Sequence, residues 1–282
     1  MSKLKKALER AKQVRANGGT STAAVRDAGT PRAVVRFGAG RVAEDRCPVD
    51  VTYCETKVLD MDPKLMQRNK IFSLFQDNPV TDQIKMLRTQ ILGKLKENGG
   101  NSLLITSANP GEGKTFTAIN LGVSIAQELD RTVLLVDADL RNPSFRHYDF
   151  AGDFFGVEVK KGLADFLTDS LEIPDLLLNP GIEKLTILPG GRILPNSSEL
   201  LGSPRMEELV RDLKSRYRKD RIIIYDSPAV LVCTDPLVLS NYVDGILVVI
   251  EMEKTTEKDL KRVMELLKDK PVLGTVANKS KG

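Results

Sequence analysis

Six short apolar segments of the type that forms β-strands recur from residue 102 onward, and they constrain the fold more than any other feature of the sequence. They are SLLIT at 102–106, TVLLV at 132–136, LTIL at 185–188, IIIY at 222–225, GILVVI at 245–250 and the segment 272–276. Most of the intervals between them show apolar residues at helical spacing. Strands that are apolar on both faces are typical of a parallel sheet that helices cover on both sides. The pattern therefore predicts an α/β fold with a mostly parallel sheet.

A glycine-rich loop follows the first of these segments and precedes a helical pattern. The loop reads SANPGEGKT, from Ser107 to Thr115. Its glycines allow successive backbone N–H groups to face phosphate oxygens, and the N-terminus of the following helix adds a partial positive charge. A lysine and a threonine at the end of such a loop are suited to contact the β- and γ-phosphates and Mg²⁺. The sequence therefore predicts a P-loop NTPase-type fold that binds ATP and Mg²⁺ through Asn109, Pro110, Gly111, Glu112, Gly113, Lys114, Thr115 and Phe116.

Acidic residues follow two further predicted strands. The segment Asp137-Ala138-Asp139-Leu140-Arg141 comes directly after 132–136, and Asp226 comes directly after 222–225. Ligands of open α/β sheets bind at the carboxyl ends of the strands, so these side chains are expected to converge on the P-loop. Mg²⁺ prefers oxygen ligands and usually takes one or two carboxylates beside phosphate and water. We therefore predict Thr115 and Asp226 as a metal-binding pair, with Asp137 as a further metal ligand or as a base.

The N-terminal part of the chain has a different character. Residues 1–16 place apolar side chains at helical spacing among lysines and arginines, which predicts a short basic amphipathic helix. Residues 17–77 are predicted to be a flexible linker and a lead-in segment, so that the P-loop domain spans 78–282. Residues 1–48 hold eleven Lys and Arg against four Asp and Glu, whereas the net charge of the whole chain is +4. The basic charge is therefore concentrated in the N-terminal segment.

Composition argues against several other classes of protein. The three cysteines are irregularly spaced and His147 is the single histidine, which does not suit a zinc site or a disulfide scaffold. The N-terminus is charged throughout and the longest apolar run is far shorter than the ~20 residues of a membrane span, so a cytoplasmic protein is expected. Nucleic acid is not expected as a partner, because the domain lacks a basic stripe with interleaved aromatics. The basic N-terminal segment is compatible with weak contact with the inner face of a membrane.

Three motifs together resemble a known family. SANPGEGKT, VLLVDADLR and IIIYDSP resemble the Walker A, A′ and B motifs of bacterial tyrosine kinases, the P-loop enzymes of capsule and exopolysaccharide export. The resemblance covers about residues 78–280 and includes PNSSELL at 195–201 and Thr234-Asp235. It implies that the γ-phosphoryl group of ATP is transferred to tyrosine hydroxyls. It also implies a separate transmembrane activator that controls polysaccharide chain length, because family members without a membrane segment work with one.

The resemblance assigns roles to individual residues. Lys114 would hold phosphates, and Thr115 and Asp226 would hold magnesium. Asp137 would activate the attacking hydroxyl, and the motif residues Asp139 and Arg141 would organise the metal and the phosphate. The nucleotide base has no assigned contact: the pair Asn278-Lys279 after the last predicted strand is a candidate, and a plain turn is equally open.

A related class of P-loop ATPases, which positions division septa and plasmids, is the main alternative. Its members carry a second signature lysine at the position that Asn109 occupies here. The pattern Asp137-x-Asp139-x-Arg141 also favours the kinase branch. The alternative function is an ATP-driven switch or scaffold that modifies no protein, and fold-level kinship alone would not separate the two.

Two features depart from the kinase family. Its ring-forming helix carries Glu-x-x-Arg-x-x-Arg, whereas the matching positions here are Asp82, Lys85 and Arg88. Because lysine cannot reproduce the bidentate contact of arginine, a homo-oligomer would pair differently or more weakly, and a solvated helix face is equally open. The family's C-terminal tyrosine cluster has no counterpart after Tyr242, so autophosphorylation in a tail is not expected. The acceptor is then Tyr53 or a tyrosine of another protein, or the ATPase acts as a switch.

Overall fold

The computed structural model describes residues 56–60, 62–75, 78–141, 150–169, 171–216 and 220–280. The predicted helix at 1–16 and the predicted linker as far as residue 55 lie outside these ranges. The described residues form an eight-stranded, mostly parallel sheet with helices on both faces, which confirms the predicted fold class. None of the helices in those ranges has the length and apolar composition needed to cross a lipid bilayer.

All six predicted strands are present, each ending within two residues of its expected bounds. The strands are β1 (Lys57–Val58), β2 (Ser102–Ser107), β3 (Thr132–Asp137), β4 (Leu178–Asn179), β5 (Leu185–Leu188), β6 (Arg221–Asp226), β7 (Gly245–Glu251) and β8 (Val272–Asn278). The helices are α1 (Pro63–Arg68), α2 (Pro79–Glu97), α3 (Lys114–Ala126), α4 (Phe150–Phe155), α5 (Leu163–Thr168), α6 (Ser197–Leu201), α7 (Pro204–Arg216), α8 (Asp235–Leu239) and α9 (Glu257–Leu266), with 3-10 turns at Phe72–Leu74 and Ile173–Leu176. The sequence did not predict β1 and β4, because two residues are too few to show a period.

The strand order in the sheet is β1-β4-β5-β3-β6-β2-β7-β8. Neighbours are parallel except β4 and β5, which meet in antiparallel orientation. At the centre, β6 lies between β3 and β2, and Asp226 pairs in register with Asp137 on one side and with Ile105 on the other. The carboxyl ends of β2, β3 and β6 therefore lie side by side at one edge of the sheet, where ligands of such sheets bind.

Each face of the sheet has its own buried layer. Leu103 and Ile105 of β2 pack in the layer that includes Ile91 of α2 and Ile119 of α3. Leu104, between them in sequence, packs in the opposite layer with side chains of α7, α8 and α9. Successive side chains of a strand point to opposite faces, so a strand covered on both sides must be apolar throughout. This arrangement explains the continuous apolar runs of the sequence.

Packing of the domain begins before residue 78. Met66 of α1 and Ile71 are almost fully buried in the layer beneath α3. The Asn120 side chain of α3 accepts the backbone N–H of Ser73 at 3.1 Å and donates to the carbonyl of Lys70 at 3.0 Å. The structure thus joins residues 63–75 to the domain that the sequence predicts to start at 78. Their contacts lie far away along the chain, so local pattern does not reveal them.

Candidate active site

The glycine loop connects β2 to α3 at the edge where the predicted acids lie. Gly111 and Gly113 have positive φ angles of 80° and 98°, which residues with a Cβ rarely adopt. A Cβ on Gly113 would also lie 2.0 Å from Nδ2 of Asn278, so only glycine fits there. The first N–H groups of a helix have no intrahelical acceptor, and α3 begins at Lys114. The loop therefore presents backbone donors that are suited to phosphate oxygens.

Lys114 lies among the acidic side chains. Its Nζ is 3.4 Å from Oδ2 of Asp139, and both side chains are largely buried. Burial opposes the charge of Lys114, but the negative charges of Asp226, Asp139 and Asp137 outweigh it and raise the lysine pKa. The lysine is therefore protonated at neutral pH and supplies a fixed positive charge beside the loop.

Thr115 and Asp226 are directly bonded. The Thr115 hydroxyl donates to Oδ2 of Asp226 at 2.7 Å, and the residue Asp226 is 2% exposed. Burial raises the pKa of Asp226 to about 7, against the opposing effects of Lys114 and the Thr115 hydroxyl. The structure thus brings together the two residues that the sequence predicts as a metal-binding pair.

Two buried carboxylate oxygens at this edge lack a hydrogen-bond partner within the described ranges, Oδ1 of Asp226 and Oδ1 of Asp139. Buried polar atoms are nearly always paired, so unpaired acceptors indicate that a donor or a cation belongs there. No set of three His, Cys, Asp or Glu side chains in the described ranges forms a cage for a metal by itself. Mg²⁺ rarely uses such a cage, because it is usually held by one or two carboxylates together with phosphate and water. The residues present therefore fit Mg²⁺ bound with a nucleotide.

Asp137 lies beside Asp226 and is oriented by backbone groups. Its Oδ1 accepts the N–H of Asp139 at 3.2 Å, and its Oδ2 accepts the N–H of Gly190 at 3.3 Å. The residue is 2% exposed. These two bonds orient the carboxylate at the edge of the sheet where Asp226 also lies.

Arg141 is held by a different carboxylate. Its guanidinium donates from Nε and Nη2 to Asp235, with a shortest distance of 2.9 Å, and from Nη2 to the Ser198 hydroxyl at 2.9 Å. Asp235 is fully buried and also accepts hydroxyl hydrogens from Ser197 and Ser198. Burial alone would raise the pKa of Asp235, but the bonds from Arg141 and the two serines lower it. The predicted role of Arg141 at the phosphates stays a prediction, because the guanidinium is bonded here to Asp235.

Other side chains of the loop contact protein groups. Glu112 is 1% exposed, and its Oε2 accepts the Asn109 N–H at 2.9 Å, while its Oε1 accepts the Thr255 hydroxyl at 2.5 Å. The Phe116 ring packs edge-on against Phe72, with ring centroids 6.1 Å apart. Sequence analysis missed Thr255, which lies between β7 and α9 and belongs to no motif.

Asn278 and Lys279 approach the loop from the end of β8. The Asn278 amide donates to the carbonyl of Glu112 at 2.9 Å, and the Lys279 ammonium donates to the carbonyl of Gly111 at 2.7 Å. The sequence left contact with the base and a plain turn open as alternatives for this pair. The structure places both side chains against the backbone of the phosphate loop, a contact that neither alternative anticipated.

Comparison with known proteins identifies the family. The family described as AAA domain matches residues 102–271. The tyrosine-protein kinase YwqD of Bacillus subtilis (strain 168) is 34% identical over 219 residues, which are 77% of this chain and 88% of YwqD. Several other curated relatives, all putative tyrosine-protein kinases, are much longer, and the matches cover 24 to 26% of their length.

Solved structures agree with this relationship. The kinase domain of the Escherichia coli tyrosine kinase ETK has a TM-score of 0.65 at 27% identity, covering 79% of this chain and 89% of that domain. The septum site-determining protein MinD of Pyrococcus horikoshii, complexed with Mg-ADP, is more distant, with a TM-score of 0.51 at 25% identity over 64% of this chain and 72% of MinD. A P-loop with Asn109 in place of a second lysine, strand-end acids beside it, and these relatives agree: the chain belongs to the bacterial tyrosine kinases.

Proposed function

We propose that this protein is an ATP- and Mg²⁺-dependent protein-tyrosine kinase that acts in capsule or exopolysaccharide synthesis and export. The observation that carries the proposal is a pair of buried oxygens, on Asp226 and Asp139 beside Lys114, for which the described residues supply no hydrogen-bond partner. A site that stores uncompensated negative charge beside a loop of amide donors is suited to a metal ion and a phosphate chain together.

Each residue of the site has a role in this proposal. The amides at the start of α3 and the ammonium of Lys114 bind the phosphates of ATP. The Thr115 hydroxyl and the Asp226 carboxylate hold Mg²⁺, which when bound would neutralise charge on the phosphates. Phosphoryl transfer relies mainly on positioning and charge neutralisation, so a rigid set of donors and acids accounts for much of the catalysis.

Asp137 is the proposed base, with metal ligation as its alternative role. It is fixed by two backbone N–H groups at the end of β3, in register with Asp226 on β6. In this proposal its carboxylate accepts the proton of an incoming tyrosine hydroxyl. Asp139 is the proposed organiser of the metal and the phosphate through its ion pair with Lys114.

The proposed acceptor is a tyrosine other than the buried Tyr225. Tyr225 lies within β6 and is 1% exposed, so its hydroxyl is inaccessible while the sheet is intact. Tyr242 is half-buried. Tyr53, Tyr148 and Tyr217 lie outside the described residues. We retain Tyr53, or a tyrosine of a partner protein, as the proposed acceptor.

A transmembrane activator of the chain-length-determinant type is the proposed partner. The basic N-terminal segment is proposed to touch the inner face of the membrane.

Self-association would use the face of α2 that carries Asp82, Lys85 and Arg88. Arg88 already makes bonds within the chain: it pairs with Glu128 at 2.6 Å and donates to the carbonyl of Ser124 at 2.8 Å. Lys85 is bonded to Asp82 on the same helix. A ring formed through this face would therefore compete with internal bonds of Arg88.

The test is an incubation with γ-labelled ATP and Mg²⁺, with and without the cytoplasmic segment of a candidate activator. We expect label on tyrosine in the parent protein and at least a hundredfold less in Lys114→Met. Lys96→Met, which removes an exposed lysine of α2, is the matched control and should behave like the parent. Release of free phosphate without labelled tyrosine would support the ATP-driven switch instead, and undiminished labelling by Lys114→Met would contradict the assignment of the site.

A further inference from the structure

The phosphate loop is held by side chains that belong to none of its motifs. The Thr255 hydroxyl donates to Oε1 of Glu112, and its oxygen accepts the backbone N–H of Glu251 at 2.9 Å. Asn278 and Lys279 bond the loop carbonyls of Glu112 and Gly111. The segment after β7 and the end of β8 thus contact the loop through three side chains. These segments are separated from the loop by more than 140 residues.

Glu112 receives two of these contacts, one at its carboxylate from Thr255 and one at its carbonyl from Asn278. Its carboxylate is 1% exposed and accepts three donors: the backbone N–H and, at 3.4 Å, the side-chain amide of Asn109 within the loop, and the Thr255 hydroxyl outside it. A buried carboxylate is stable only when such donors compensate its lost hydration. The negative charge also repels a bound triphosphate, so it weakens nucleotide binding unless it contributes in another way. Holding the backbone of the loop in shape is such a contribution.

We propose that Thr255 is a positioning residue for nucleotide binding: by fixing the Glu112 carboxylate, its hydroxyl holds the backbone of residues 109–113 in the shape that receives phosphates. The proposal rests on the function proposed above. The proposed role of Thr255 involves no contact with phosphate. It acts through Glu112, and the Glu251 N–H orients its hydroxyl by occupying the oxygen lone pair that faces away from the loop.

The first test replaces the hydroxyl while keeping the shape of the side chain. In Thr255→Val, Oε1 of Glu112 loses the shorter of its two hydrogen bonds and keeps the one from the Asn109 amide at 3.4 Å. We expect the dissociation constant of MgATP, measured by calorimetry, to rise about tenfold, since a hydrogen bond to a charged group is lost. The turnover number at saturating ATP should change less than twofold, because the acids are untouched. Thr255→Ser retains the hydroxyl and should restore the parent affinity to within about twofold.

A matched control separates positioning from general loss of stability. Thr81→Val removes another threonine hydroxyl, one that is 2% exposed and bonds the carbonyls of Phe72 and Phe75 at the start of α2. These two bonds of its hydroxyl go to the segment before α2 and not to the phosphate loop. We expect it to lower the urea midpoint of unfolding while leaving MgATP affinity unchanged. An equal loss of MgATP affinity in Thr81→Val would overturn the specific role of Thr255.

Glu112→Gln provides a test that depends on the sign of the effect. If the carboxylate acts only through its charge, its removal should tighten MgATP binding. If it holds the loop, binding should weaken, because an amide can accept only through its oxygen, so the donors to one of the two carboxylate positions then face an N–H group. We expect weaker binding by about three- to tenfold, and tighter binding would overturn the proposal.

Hydrogen exchange of the nucleotide-free protein examines the loop directly. The Asn109 N–H is bonded to Glu112, so the peptide that covers 109–113 should exchange several-fold faster in Thr255→Val than in the parent and in Thr81→Val. Unchanged exchange together with unchanged MgATP affinity would overturn the role of Thr255 and leave the kinase assignment intact. A parent protein that binds no MgATP at millimolar concentration would overturn the proposed function and this role with it.

Discussion

Two buried aspartates, Asp226 at the end of β6 and Asp235 at the start of α8, have opposite surroundings. Asp226 accepts one hydroxyl, from Thr115, and its other oxygen has no partner in the described part of the chain. Asp235 accepts from Arg141, Ser197 and Ser198 through both oxygens. Burial raises the pKa of Asp226 to about 7, whereas the partners of Asp235 lower its pKa.

The difference shows that burial does not by itself give an acid its role. Both residues are at most 2% exposed, so desolvation acts on each of them. The number of donors within the chain decides the outcome, because a carboxylate with enough donors is stable as an anion and one without them requires a cation from elsewhere. Asp235 is therefore suited to a structural role and Asp226 to a ligand. The following experiments test that division.

The largest effect is expected for Asp226→Asn. Loss of the anionic metal ligand should reduce tyrosine phosphorylation by about 10²- to 10³-fold, as for the removal of one stabilising group from a transition state. The free energy of unfolding of the nucleotide-free protein should stay equal or rise, since an uncompensated buried charge is removed. The measurements are initial rates with saturating MgATP and urea unfolding. A large loss of stability would mean that Asp226, like Asp235, has a structural role, and would contradict the proposed difference between the two residues.

Asp137→Asn should show a slightly smaller effect on rate. Asp137 accepts backbone N–H groups from Asp139 and Gly190, and it pairs in register with Asp226. If it is the base, turnover should fall about 10²-fold while the KM for ATP changes little, within the range for general-base catalysis. Equal losses in turnover and in MgATP affinity would instead favour its alternative role as a metal ligand.

Asp235→Asn should mainly affect stability. The substitution leaves Arg141 and two serines with a neutral partner, and the half-buried guanidinium loses its counter-ion. We expect the free energy of unfolding to fall by about 2 kcal/mol, at the lower end for a buried charge pair because Arg141 is partly exposed. Urea unfolding provides the measurement, and Asp82→Asn, in an exposed pair with Lys85, is a control that should not change stability detectably. A stable Asp235→Asn protein would contradict the structural role.

The last comparison concerns the pH dependence of stability. Burial raises the pKa of Asp226 in the folded state to about 7 from its ordinary value of 3.8, so between these values the folded state retains a proton that the unfolded state has released. The contribution of Asp226 is therefore complete below about pH 4 and is lost as pH rises through about 7. Asp235, with a lowered pKa, contributes stability above its ordinary pKa that is lost in acid.

Urea unfolding between about pH 5 and pH 8 in the absence of nucleotide and Mg²⁺ tests this sign. The stability of the parent relative to Asp226→Asn should fall as pH rises from about 5 and level off above about 7, because in this range the unfolded parent has released a proton that the folded parent still holds. A difference that is constant over this range would mean that Asp226 does not titrate there.

Regular elements with a strong local pattern were predictable from the sequence. The segment 102–106 is apolar on both faces, and β2 occupies Ser102–Ser107. By contrast, β4 has two residues and meets β5 in antiparallel orientation through Leu178 and Ile187, which no local period could indicate. The burial of Met66 in a segment predicted as a lead-in likewise depends on helices that follow much later in the chain.

The sequence by itself determined the α/β class and the glycine loop, because strand periodicity and the backbone freedom of Gly111 and Gly113 are local properties. It also placed acids after two strands. Only the tertiary structure decided which acids are compensated: Asp235 meets Arg141 across 94 positions, and Glu112 meets Thr255 across 143. Such pairings depend on which elements become neighbours in space, and the free energy of a buried charge depends on those neighbours rather than on the residue type.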